Sequence, residues 1–142
     1  MKTLKLHFLL LCVAAAPLLG ADDPHGTAGA KPSTEASGFK NVSVEEFDKL
    51  RANKQNRLLD VRTPSEFAGG HIPGAINIDI NGPDFEKKVA GLDKKATYLM
   101  NCAGGGRSAR ACGKMSQLNF STLYNLEGGF RAWEKAGKPV EK

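Results

Sequence analysis

Three observations on the sequence predict an α/β domain built on a parallel sheet. Apolar runs of strand length alternate with helix signals about five times between Phe39 and Lys142. Several of those runs are continuously apolar, the pattern of strands covered on both faces. The 104 residues from 39 to 142 suffice for one hydrophobic core and leave little room for a second. Helical crossovers between such strands argue for parallel pairing, with helices on both sides of the sheet.

Phe39 to Val42 reads as a short opening strand. Ser43 and Glu46 have capping-box spacing, in which each side chain satisfies the other residue's free amide. Val44, Phe47 and Leu50 follow at helical spacing, so a helix is predicted there. Arg57 to Val61 is a buried strand, and Thr63-Pro-Ser-Glu66 forms a second capping box. Pro64 stands at the first helical position, where its missing amide hydrogen costs nothing. That helix is brief because Gly69-Gly70 stops it. Ala75 to Ile78 reads as a strand, and Asn81-Gly-Pro83 turns into a helix bearing Phe85, Val89 and Leu92. Thr97 to Asn101 is a further buried strand. Ser108 to Leu118 is a helix with Ala111, Cys112, Met115 and Leu118 on its apolar face. Thr122 to Leu126 is the last strand, and Gly128-Gly129 leads into a helix carrying Phe130 and Trp133 and closed by Gly137.

The first 38 residues read differently. Lys2 and Lys5 precede nine unbroken apolar residues, Phe8 to Ala16, and a small-residue end at Pro17 to Ala21. This is the pattern of a secretory signal peptide over 1–21, cleaved after Gly20 or Ala21. A spanning helix wants about 20 apolar residues, and even Leu6 to Ala21 is only 16 uncharged residues, broken by His7 and Pro17. Residues 22–38 contain no Val, Ile, Leu, Met, Phe, Trp or Tyr and read as a flexible tether. The domain proper is 39–142. Export places the mature chain in a periplasm or outside the cell, in oxidising surroundings.

Charge and cysteine usage narrow the function. The whole chain carries +5 and three cysteines. Removing 1–21 takes away Lys2, Lys5 and Cys12, leaving 18 basic and 15 acidic side chains and two cysteines. The basic residues are scattered and not interleaved with aromatics, which argues against a nucleic-acid partner. Cleavage also leaves nothing to hold the chain in a membrane. Two cysteines cannot build a disulfide scaffold or a four-cysteine zinc site.

One junction is chemically unusual. Asn101-Cys-Ala-Gly-Gly-Gly-Arg-Ser108 links a buried strand to a helix, and ligands of parallel sheets bind just beyond such strand ends. Cys102 at that turn meets the free amides and positive dipole end of the following helix, both of which favour thiolate over thiol. Gly104, Gly105 and Gly106 let the loop wrap with amides inward, a concavity suited to an anion. Arg107 supplies a permanent positive charge at the far rim. A glycine-rich turn with an incidental cysteine has the same letters. A phosphate loop is disfavoured, because G-x-x-x-x-G-K-[ST] is absent.

Leu58-Leu-Asp-Val-Arg62, Glu66-Phe67 and Gly70-His-Ile-Pro-Gly-Ala-Ile-Asn77 resemble the first signature of the rhodanese family. The loop from Cys102 to Arg107 is similar to that family's active-site loop, and Gly128-Gly-Phe-Arg-Ala-Trp133 with Ala136-Gly-Lys-Pro-Val140 resembles its C-terminal signature. The resemblance covers essentially all of 39–142. It implies a three-layer fold with a five-stranded parallel sheet, and sulfurtransferase activity without metal, nucleotide or other cofactor. Cys102 would take sulfane sulfur from thiosulfate or a related donor as a persulfide. Cyanide or a thiol, including a protein thiol, would then remove it. The backbone of Ala103, Gly104, Gly105, Gly106 and Arg107 would bind the anionic sulfur, and the chain is expected to act as a monomer.

Phosphatases of the same fold carry five residues between cysteine and arginine, whereas four, Ala103 to Gly106, lie here. The smaller cradle suits a single sulfur. Many relatives have a basic or polar side chain where Ala103 stands, so strong thiosulfate binding is not expected. A persulfide carrier or protein-docking module on the same fold is the alternative. His71 is expected to shape a turn, Asp60 and Arg62 to brace loops beneath the site, Glu66 to approach its rim, and Trp133 and Cys112 to pack in the core. A Cys102–Cys112 disulfide is not expected, since one cysteine is on the loop and the other faces the sheet.

Overall fold

The computed structural model describes residues 38–142. The segment read as a signal peptide, and the tether up to residue 37, lie outside the described residues.

The observed elements are β1 (Lys40–Val42), α1 (Val44–Ala52), β2 (Arg57–Asp60), α2 (Pro64–Gly69), β3 (Ile76–Asn77), α3 (Phe85–Ala90), β4 (Thr97–Asn101), α4 (Gly106–Gln117), β5 (Thr122–Leu126) and α5 (Gly129–Lys135). The five strands form one sheet in the order β1-β5-β4-β2-β3, and every pairing is parallel. The predicted α/β class and five-stranded parallel sheet are therefore what the chain adopts.

Local chemistry explains most of the boundaries. Thr63 accepts from the Glu66 amide while Glu66 accepts from the Thr63 amide, so the second capping box is complete, with Pro64 just inside it. The first box is only half formed. Ser43 Oγ accepts from the Glu46 amide at 3.3 Å, but the Glu46 carboxylate turns away to Lys40 at 2.9 Å. An oppositely charged neighbour competes well with an amide for an exposed carboxylate. The third strand shrinks to Ile76–Asn77, because Ile78 leaves the ladder although its amide still donates to Asp60. Helix α4 starts two residues earlier than predicted, at Gly106, because Gly105 at φ +95° turns the chain directly into it.

Side chains of β4 alternate between two cores. Tyr98, Met100 and Cys102 pack with Phe85, Val89, Ala111, Cys112 and Met115 beneath α3 and α4. Leu99 packs with Val44, Phe47, Phe130 and Trp133 beneath α1 and α5. Trp133 is fully buried, as expected, and its indole N–H donates to the Pro139 carbonyl at 2.7 Å. Cys112 is fully buried and free, as is Cys102. Among the described residues no helix is long and apolar enough to cross a membrane.

The topology fixes where a site can form. From β2 the chain continues outward to β3, while from β4 it continues the other way to β5. The connections leaving these adjacent strands diverge, and the crevice lies at their carboxyl ends. A buried ion pair underlies it. Arg62 donates to both carboxylate oxygens of Asp60 at 2.7 to 3.0 Å and to the Gly70 carbonyl at 2.7 Å. Asn101, at the end of β4, donates to the same carboxylate at 3.1 Å. The guanidinium also lies over the Phe130 ring at 4.1 Å. Thus β2, β4, α5 and the turn after α2 are tied together beneath the crevice.

Removing one member of a buried pair strands the other charge, which costs about 3–5 kcal/mol. Asp60→Ala is expected to lower the unfolding free energy by about that amount in a urea titration, a large part of a typical domain stability of about 5–15 kcal/mol. A loss below about 1 kcal/mol, the range of exposed pairs, is the contrary result.

Candidate active site

The loop after β4 owes its shape to backbone packed against backbone. The Phe130 amide at the start of α5 donates to the Cys102 carbonyl at 2.7 Å, and the Arg131 amide to the Ala103 carbonyl at 3.1 Å. Gly129, at φ +60°, comes so close that a Cβ would stand 2.4 Å from the Cys102 carbonyl oxygen. A Cβ on Gly105 would stand 3.2 Å from both the Gly128 amide nitrogen and the Leu126 carbonyl oxygen. From β5, Asn125 donates to the Gly105 carbonyl at 3.3 Å. With their carbonyls held outward by α5 and β5, the loop residues turn amides inward.

Those amides meet the cysteine sulfur. Cys102 Sγ accepts from the Gly105 amide at 3.1 Å and from the Ser108 hydroxyl at 3.3 Å. Cys102 is only 1% exposed. Burial by itself pushes the thiol up. The Ser108 hydroxyl and the amides of Ser108, Gly104 and Gly105 together outweigh burial, so Cys102 ionises below its ordinary thiol value. Cys112 shows the opposite balance. Burial dominates there and its thiol is pushed well above the ordinary range, which leaves it a packing residue.

Ser108 is the residue the sequence reading overlooked. It lies on the buried stripe of α4 with Ala111, Cys112 and Met115, and a hydroxyl on an apolar stripe was the available signal. Its Oγ is within reach of both Cys102 Sγ, at 3.3 Å, and the Gly105 carbonyl, at 3.1 Å. The single hydroxyl proton can therefore serve the sulfur when it is anionic and the carbonyl when it is not.

The structure pairs the Arg107 charge with a carboxylate. Its guanidinium is not a free charge at the rim, because Glu66 holds it with two parallel bonds of 2.8 and 2.7 Å. The Arg107 bonds, against a smaller opposing effect of burial, hold the Glu66 carboxyl well below its ordinary value, at about 2. Glu66 reciprocally raises Arg107. A carboxyl depressed on folding contributes stability above its unfolded value and loses it as pH falls through the folded one. The pair is accordingly intact at neutral pH and is undone only between about pH 4.5 and 2.

The remaining predicted residues sort as follows. The Gly104 amide contributes to the sulfur's surroundings, whereas a Cβ on Gly104 or Gly106 would enter open space. Of the three loop glycines, only Gly105 is required by φ and by close contact. Ala103 anchors the loop through its carbonyl. His71 stacks on Phe67 at 3.7 Å, donates from Nδ1 to the Phe67 carbonyl at 3.1 Å and pairs its backbone with Glu141. Its role is to join α2 to the C-terminal segment. A cleft of about 630 Å³ between Lys54, Arg57, Pro73 and Ile76 does not include the cysteine.

Ser108→Ala removes one donor to the sulfur and creates no charge. Because the thiolate is the reactive form, the rate at the cysteine rises with pH and levels off above the thiol's pKa. The variant is expected to move this rise to higher pH, with activity lost at neutral pH and regained in alkali. The pH profile of kcat/KM checks this, and an unmoved profile contradicts the role assigned to the hydroxyl.

Residues 43–136 match the family described as "Rhodanese-like domain". The chain is 35% identical over 96 residues to the thiosulfate sulfurtransferase GlpE of Pseudomonas aeruginosa, covering 67% of this chain and 84% of that protein. It is 30% identical over 100 residues to the thiosulfate sulfurtransferase GlpE of Shewanella oneidensis, covering 70% and 97%. The crystal structure of a rhodanese-related protein from Thermoplasma volcanium superposes with a TM-score of 0.64 at 32% identity, covering 72% of this chain and 98% of that one.

Proposed function

The chain belongs to the rhodanese-like family, and we propose that it moves sulfane sulfur through a persulfide on Cys102. One observation carries this reading. The sulfur of Cys102 accepts from a loop amide and from the Ser108 hydroxyl at the head of a twelve-residue helix, an arrangement that favours its anionic form.

In the first half-reaction the Cys102 thiolate attacks the outer sulfur of thiosulfate or a related donor. The sulfur–sulfur bond of the donor breaks, and with thiosulfate the sulfite dianion leaves with the electron pair. The transferred sulfur stays on Cys102 as an anionic persulfide. The inward amides of the loop then stabilise that sulfur, much as an oxyanion hole stabilises developing charge. In the second half-reaction cyanide or a thiol attacks the outer sulfur and the Cys102 thiolate is released. Two half-reactions joined by a covalent intermediate give ping-pong kinetics. The four-residue spacing from Cys102 to Arg107 favours this chemistry over phosphoryl transfer.

The pattern of 1–21 supports a periplasmic or secreted setting for the reaction, with the domain tethered behind a cleaved signal. Delivery of the persulfide to a protein thiol is the second reading. It draws support from Ala103 and from the neutralised Arg107, which leave little to hold a small anionic donor.

Intact-protein mass spectrometry tests the proposal. After incubation with thiosulfate and removal of excess donor, the wild-type protein is expected to carry the mass of one added sulfur, removable by cyanide. Cys102→Ser is expected to carry none, while Cys112→Ser is expected to load as the wild type does. A sulfur adduct retained in Cys102→Ser overturns the assignment of the nucleophile.

A further inference from the structure

The charge arrangement around Cys102 bears on which donor the site accepts, an inference that rests on the sulfurtransferase reading above. Between Cys102 and Arg107 the loop offers only the Ala103 methyl and three glycines, so no side chain there can bind an anion. Arg107 is the cation whose charge reaches the Cys102 sulfur, and Glu66 occupies its guanidinium face with both carboxylate oxygens, at 2.7 and 2.8 Å. Asp79 acts on the same guanidinium as a second carboxylate. Two carboxylates and the cysteine sulfur thus act on this one guanidinium.

A thiosulfate dianion must enter this field with no unpaired cation among the loop residues 103–107 to receive its sulfonate oxygens. The Gly105 amide, with those of Gly104 and Ser108, is already directed at the Cys102 sulfur. A hydropersulfide, R–S–SH, brings at most one negative charge at its sulfurs, and its R group asks for no cationic partner. Like-charge approach penalises the dianion more steeply than the monoanion or the neutral species.

We infer that the site selects a thiol-bound persulfide, of a small thiol or of a protein cysteine, over thiosulfate as its sulfur donor. The step balances without an added oxidant or reductant. The Cys102 thiolate attacks the outer sulfur of R–S–SH, the R–S bond to that sulfur breaks, and R–S⁻ departs with the electron pair. The proton stays on the transferred sulfur, giving Cys102–S–SH. The same chemistry run toward an acceptor thiolate unloads it.

The test compares two donors on the full chain: thiosulfate, and cysteine persulfide generated from cystine. The rate of sulfur loading on Cys102 is read by intact-mass analysis. The wild type is expected to load faster from cysteine persulfide. Glu66→Gln keeps a residue that serves the same position of a capping box while removing the negative charge, which frees the charge of Arg107. It is expected to raise the thiosulfate-to-persulfide rate ratio at least about tenfold, since a unit charge a few ångströms from a dianion is worth that much or more even in a high effective dielectric. Ala103→Lys, which adds a loop cation without touching α2, is expected to move the ratio the same way. A ratio unchanged in both variants, or a wild type that loads from thiosulfate at least as fast as from persulfide, overturns the inference while leaving the sulfurtransferase reading in place. Failure of both donors to load the wild type overturns the two together.

Discussion

The site depends on one close approach, that of the β5–α5 turn to the loop after β4. Gly129 lies so near the Cys102 carbonyl that no Cβ fits between them, and the first amides of α5 take the carbonyls of Cys102 and Ala103. A carbonyl held outward obliges its peptide plane to present nearby N–H groups on the other side. The anion-favouring interior of the loop is thus set by a segment more than twenty residues downstream in the chain. Three glycines, Gly105, Gly128 and Gly129, make the contact possible, all at positive φ.

Beneath and beside this contact, charge is arranged in two tiers. The lower tier is the buried Asp60–Arg62 pair, which ties β2 to β4 through Asn101 and to the turn at Gly70. The upper tier is the Glu66–Arg107 pair, which joins α2 to α4 across the mouth of the crevice. The upper pair spans the two connections that diverge from β2 and β4. The crevice that the topology opens is therefore closed at its floor and side by ion pairs, and only the loop face presents amides to a reacting sulfur. The depressed Cys102 and the elevated Cys112 differ for one reason: both are buried, but Cys102 is given several donors and Cys112 only its own amide.

Much of this was legible in the sequence because its causes are local. The Thr63–Glu66 box, Pro64 and the Gly137 stop depend on residues within a few positions of one another, and each boundary lies where those signals put it. Cys102 stood out because a strand, a cysteine, three glycines and a helix follow in direct succession. What was not legible depends on distant partners. The pairing of Glu66 with Arg107 joins residues 41 apart, and the sequence offers 15 carboxylates and 20 cations with no sign of which will meet. The demand for glycine at 129 comes from a backbone 27 positions earlier. Ser108 was hidden differently. Its hydroxyl reaches the sulfur only because Gly105 turns the chain into α4 two residues sooner than the side-chain pattern predicts, placing residue 108 third in the helix rather than at its start.

The central claim is that the cradle makes Cys102 ionise more readily than an ordinary thiol. The most direct measurement is the pH dependence of alkylation of the wild-type protein by iodoacetamide, followed separately at the two cysteines by peptide mass analysis. The normalised profile reports ionisation whatever the absolute access to the sulfur. The Cys102 profile is expected to have its midpoint below the ordinary thiol pKa of about 8.5, while Cys112 stays unmodified in the folded protein. A Cys102 midpoint at or above that value contradicts the account.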